Sequence, residues 1–153
     1  MNEGFADYFA GSILNTHWIL FFTGGPDGNG FRDLLNTRRF PEDYASEPHY
    51  NAPIFSGMLW DIRAALGQTM TDDLMVRTME LNGQNPSDDV TFFSFCRDLT
   101  RMDDMLYGNN DPFDGTPHLN EICTGCQNHG IETSYCKVCA PTEADDDSDQ
   151  WKN

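Results

Sequence analysis

Apolar residues in this sequence return every third or fourth position, and that spacing restricts the fold more than any other feature. Phe5, Phe9 and Ile13 lie four apart with Ala6 and Ala10 beside them, so residues 2–14 read as a helix with Asn2 as its N-cap. Ile54, Met58, Ile62 and Leu66 make a second stripe, opened near Pro53 and closed by Gly67. Further helices are expected over 72–81, stopping at Asn82-Gly83, and from Ser87 or Asp88 to Tyr107, with acids in the first turn. A last one is expected over 117–129, closed by Gly130. No run alternates as a half-buried strand does, so the class is mainly α, with long irregular loops. The longest loop begins at Thr23-Gly24-Gly25-Pro26 and runs to Asn51; a loop of that length inside a compact domain is usually functional.

Composition narrows the partners. The chain has 153 residues with 9 Lys+Arg against 25 Asp+Glu, a net charge of −16 that repels nucleic-acid phosphate. Its 11 Phe, 5 Tyr and 3 Trp supply bulk for one core and argue against wholesale disorder. Trp18 to Phe22 is the longest apolar run, far short of the ~20 residues a bilayer needs, so no membrane partner is expected. Glu3 stands where a signal peptide would be basic, so no secretory leader is expected in these residues. Residues 140–153 are acidic and nearly without apolar side chains, which reads as a solvated tail.

Glu3 and Asp7 share a face of the first helix. Spacing alone leaves them as solvated acids at a helix N-terminus or as a metal ligand with its supporting acid. The run Asn2-Glu3-Gly4-Phe5-Ala6-Asp7-Tyr8-Phe9-Ala10 resembles the third-ligand helix of thermolysin-like and fungalysin-like zinc metallopeptidases. The order of later segments is similar to theirs as well. Trp18 has a counterpart in that pattern; Phe31-Arg32-Asp33-Leu34-Leu35-Asn36 resembles its Leu-Arg-Ser-Met-x-Asp/Asn segment; Pro48-His49-Tyr50-Asn51 precedes an apolar helix as its His-x-Asn segment does. Ser56 to Gly67 is similar to the helix that follows there. The likeness runs through residues 2–131 and implies the helical C-terminal subdomain of a metallopeptidase catalytic domain over 1–131, followed by a Cys-containing loop over 132–139.

The resemblance implies a role for each matching residue. Glu3 would be the carboxylate ligand of a catalytic zinc, and Asp7 would hydrogen-bond a zinc-binding His. A site of two His and one Glu keeps a fourth position for water, whose pKa the metal lowers to about 7. His49 would donate to the oxyanion formed on a peptide carbonyl, a contact worth ~2.7–4 kcal/mol in such sites. Arg32 would hold a substrate carbonyl, and Asn51 would hold the substrate or His49. Resemblance also implies an extracellular endopeptidase acting on peptide or protein substrates.

The match is incomplete. His17, His49, His118 and His129 are the four histidines and none is followed by Glu, so the His-Glu-x-x-His helix that supplies two ligands and the general base is missing. The expectation is a fragment, inactive alone, whose partner is the missing N-terminal half of the catalytic domain. The acids that flank the Trp as calcium ligands in the thermolysin pattern are missing too. Asp27-Gly28-Asn29-Gly30 opens like an EF-hand loop, but Phe31 and Arg32 break it, leaving a turn.

Cys123-x-x-Cys126 and Cys136-x-x-Cys139 leave three readings open: two disulfides, a structural four-thiolate zinc, or free thiols. On a helix, Cys123 and Cys126 would each bridge to Cys136 or Cys139 rather than to each other. Cys96, beside Phe92, Phe93 and Phe95, reads as a buried small hydrophobe. Met70, Met75, Met79, Met102 and Met105 read as core filler. The rival to the peptidase is therefore a non-catalytic acidic module built around a four-cysteine zinc, or a helical remnant with no metal.

Overall fold

The structure, a computed structural model, describes residues 2–19, 32–83, 90–108, 116–131 and 136. Five helices carry nearly all of it: α1 (Asn2–Leu14), α2 (Pro48–Leu66), α3 (Gln68–Gly83), α4 (Phe92–Tyr107) and α5 (Leu119–Asn128). The mainly helical class stands. Two strands of two residues each, β1 (Trp18–Ile19) and β2 (Arg32–Asp33), pair antiparallel with Trp18 opposite Asp33. They are too short to leave an alternating pattern in the sequence. The expected turn at Asp27, most of the 132–139 loop and the acidic 140–153 tail lie outside the described residues.

Helix α2 is the central element, packed on α1, α3 and α5. It starts more than a turn before the expected Pro53. Glu47 caps it, its carboxylate oxygens accepting from the amides of His49 and Tyr50 at 3.1 Å each, and Pro48 occupies the first turn, where a missing N–H is harmless. Pro53 consequently sits inside the helix. At the other end Gly67 adopts φ 85, a left-handed turn that lets α3 begin at once, four residues before the expected start. Helix α4 begins at Phe92, where Thr91 and Ser94 form a capping box; the expected start at Ser87 or Asp88 lies outside the described residues.

Phe5, Phe55 and Phe95 meet edge to face at the centre of the core, with ring centroids 4.7–5.1 Å apart. Around them lie Met58, Leu59, Ile62, Leu74, Met75, Leu99 and Ile122, all fully buried. Two expectations need correction. On α1 Phe5 is buried and Phe9 and Ala10 pack against the core as expected, but Tyr8 and Ser12 are buried more deeply and Ile13 is 78% exposed. Of the five methionines read as filler, Met75 and Met102 are in the core and Met70 packs against it, but Met79 and Met105 are exposed. No helix among the described residues is long and apolar enough to cross a membrane.

Candidate functional site

The start of α1, the start of α2 and the ribbon strand β2 converge, and four of the residues singled out from the sequence sit where they meet. Glu3 and Asp7 come from successive turns of α1. The Glu47 cap sets the first turn of α2 and with it His49, whose Nδ1 lies 3.3 Å from Glu3 Oε2 and whose Nε2 lies 4.0 Å from Glu47 Oε1. Both partners are open to solvent, with side chains 60% and 43% exposed for His49 and Glu3. Behind them Asp7 is buried, and the Arg32 guanidinium on β2 donates to its carboxylate. The four side chains form one charged row, open at Glu3 and His49 and buried at Asp7.

Burial dominates the titration of Asp7. It raises the carboxyl above its ordinary value against the pull of Arg32, with the Glu3 charge adding to the rise and His49 opposing it. The Arg32 side chain is itself 19% exposed, so water weakens its hold.

Asn51 stands apart from the row. Its amide nitrogen donates to the Ala45 carbonyl at 2.7 Å and its amide oxygen accepts from the Ala45 N–H at 2.8 Å. It closes the loop that precedes α2. A groove of about 410 Å³ lined by Phe40, Tyr44, Pro48, Asn51, Phe92 and Phe93, among others, opens beside that turn.

The residues present do not make a metal site of their own. Among the described residues no group of three or more His, Cys, Asp or Glu side chains is placed to hold a metal ion. Glu3 offers one carboxylate, and its histidine neighbour meets it through Nδ1 at 3.3 Å.

The cysteines pair as Cys96–Cys126 and Cys123–Cys136, with Cα separations of 6.7 and 5.3 Å. Cys96 is buried as expected, but as a bridge partner rather than as a free thiol. Cys126 therefore turns to α4 instead of to Cys136 or Cys139, and Cys139 lies outside the described residues. Met58 seals the first bridge, its sulfur 3.2 Å from Cys96 Sγ and 3.7 Å from Cys126 Sγ. Five cysteines leave at least one outside any intramolecular pairing, and nothing in the spacing marks Cys96 as the partner of Cys126.

Three further histidines have acidic partners that the sequence reading did not assign. His17 Nδ1 lies 2.7 Å from Asp33 Oδ1, and His118 Nδ1 lies 2.7 Å from Oδ1 of the fully buried Asp103. His129 is 1% exposed, 2.7 Å from the Arg38 carbonyl through Nδ1 and 3.5 Å from Asp61 through Nε2. These pairs are 16, 15 and 68 positions apart, beyond any local spacing rule. The cap at Glu47 was legible, since an acid directly before Pro48 is a helix-start signal.

Compared with models of protein families, with curated proteins and with solved structures, the chain matches none.

Proposed function

We propose that this chain is the C-terminal, helical part of the catalytic domain of an extracellular zinc metalloendopeptidase of the thermolysin or fungalysin type. The observation that carries the reading is the convergence of Glu3, Asp7, Arg32 and His49, drawn from three separate segments, into one row with an open end. Burying the Asp7–Arg32 pair costs hydration that their attraction returns only in part, so a task explains the row better than stability does. The two disulfides agree with an oxidising, extracytoplasmic setting.

In this reading Glu3 would hold the zinc through its carboxylate, the metal would supply Lewis-acid polarisation and an activated water, and the histidine ligands and general base would come from residues outside this chain. Asp7, steadied by Arg32, accepts from one of the incoming histidines. His49, on a turn fixed by Glu47 and Pro48, donates a ring N–H to the carbonyl oxygen as charge builds on it. Arg32 keeps further N–H groups for a substrate carbonyl. The aromatic groove beside Pro48 offers an apolar wall to the peptide.

The decisive experiment is to sequence the transcript upstream of the Met1 codon and to express the longer product. An in-frame His-Glu-x-x-His is expected there, with chelator-sensitive proteolysis that Glu3→Gln abolishes. The 153 residues alone should cleave neither casein nor peptides, with or without zinc. A stop codon directly upstream, or chelator-sensitive activity in the short chain, would defeat the reading.

A further inference from the structure

The most enclosed histidine among the described residues is outside the charged row. His129 closes α5, and its ring is almost wholly enclosed, at 1% exposure. A Cβ on Gly57 would lie 2.5 Å from its Cε1, so glycine in α2 makes the room the imidazole fills. Its Nδ1 faces the Arg38 carbonyl at 2.7 Å, which requires an N–H on that nitrogen. Its backbone carbonyl accepts from the Phe40 amide at 3.0 Å. Gly130 follows with φ 72, and a Cβ there would lie 2.0 Å from the Phe40 carbonyl oxygen. The 38–40 stretch is thus seated on the 129–130 turn by the histidine ring, a backbone hydrogen bond and close packing.

The charged groups around His129 come from two elements. Asp61 of α2 faces Nε2 at 3.5 Å, while its side chain stays 30% exposed and its Oδ2 already accepts from Asn128 Nδ2 at 2.8 Å. Arg39 lies on the other side and donates to the Asn128 carbonyl at 2.6 Å. Asp61 and the Arg38 carbonyl favour a charged ring; burial and Arg39 oppose it, and burial prevails, holding the imidazole below the ordinary histidine range. A half-solvated carboxylate cannot repay the lost hydration of an imidazolium. A groove of about 420 Å³ lined by Asn36, Arg39, Asp61 and His129, among others, gives protons a way in.

We propose that His129, with Asp61, is a proton-operated latch on the 36–47 segment, and so a positioning residue for Glu47 and His49 at that segment's far end. With the ring neutral, Arg38 and Phe40 stay seated on the 129–130 turn. When the ring takes a proton its charge is best solvated outside the cage, and leaving the cage releases the Arg38 carbonyl and the Phe40 amide. Because the seated ring resists protonation, the latch is closed above the unburied histidine value of about 6.5 and loses hold as pH falls through it. The inference does not depend on the peptidase reading.

The test is hydrogen exchange of the Phe40 amide in the disulfide-bonded 153-residue chain, as protection relative to an α2 core amide such as Leu59. Between about pH 7.5 and about pH 5, that relative protection should fall about tenfold for each unit by which seating lowers the ring's pKa. His129→Gln keeps a donor for the Arg38 carbonyl and should remove the pH dependence. Asp61→Asn, which withdraws the carboxylate that favours the protonated ring, should deepen it. In the unaltered chain, the His129 Cε1–H signal should titrate below about 6.5, a reading that survives if a variant does not fold. Relative protection that is flat or rises on acidification, the same fall in His129→Gln, or a His129 midpoint at or above that of an unburied histidine would each overturn the latch.

Discussion

The charged row at the start of α1 and α2 and the sulfur cluster where α2, α4 and α5 meet are held by opposite means. At the row, Glu3 and His49 are 43% and 60% exposed and meet at 3.3 Å in contact with water. At the cluster, Met58, Cys96 and Cys126 are fully buried and the Cys96–Cys126 bridge ties α4 to α5. Open ion pairs add little stability, whereas a bridge removes freedom from the unfolded chain. The molecule therefore keeps its stability in the cluster and its adaptable chemistry in the row.

Breaking the bridge is the severest trial of that contrast. Cys96 and Cys126 are 30 residues apart, and opening a loop of that size should lower stability by about 3–4 kcal/mol. Urea unfolding of the Cys96→Ala/Cys126→Ala variant measures it, and the charged row should stay assembled in the folded fraction. Should reduced protein bind one zinc per chain and release it to thiol-modifying reagents, the four-cysteine module would regain ground against the bridges.

At the row, Arg32→Ala should destabilise by about 1–3 kcal/mol, since it strands the buried Asp7 carboxylate while Arg32 is itself partly solvated. The pH sign is opposite to that of an ordinary paired acid. Asp7 has its folded value raised above 3.8, so the native state holds more protons there and the chain loses stability as pH climbs through that window. Asp7→Asn should lack this loss, which thermal unfolding at a series of pH values will register.

Between the two regions, Tyr8 donates to Asp72 at 2.7 Å and Ser12 shares the same carboxylate, joining α1 to α3. Tyr8→Phe should cost about 1 kcal/mol, because the Ser12 bond remains. Smallest of all, Glu3→Gln and His49→Ala should each shift stability by no more than about 0.5 kcal/mol. A loss of several kcal/mol at either position would make the row structural and erase the contrast.

Spacing made the helices legible because a 3.6-residue period writes itself into the chain. It could not tell how deeply each flank of α1 is buried: Tyr8 and Ser12 are enclosed, Phe9 and Ala10 border the core, and Ile13 is turned to solvent. Glu3, Asp7, Arg32 and His49 were individually visible, and their order along the chain pointed to a common place. The partners of His17, His118 and His129 were not, since nothing local marks Asp33, Asp103 or Asp61 as their neighbours.

The residue pattern alone settles the mainly helical class, the Gly67 break between two helices and the strong net acidity, because each rests on local geometry or on summed charge. Packing settles the rest. It joins Cys96 to Cys126, turns Ile13 outward, buries Asp7 against Arg32 and encloses His129 over Gly57. Those outcomes depend on which distant surfaces meet, and burial strengthens or penalises a side chain only after the chain has closed around it.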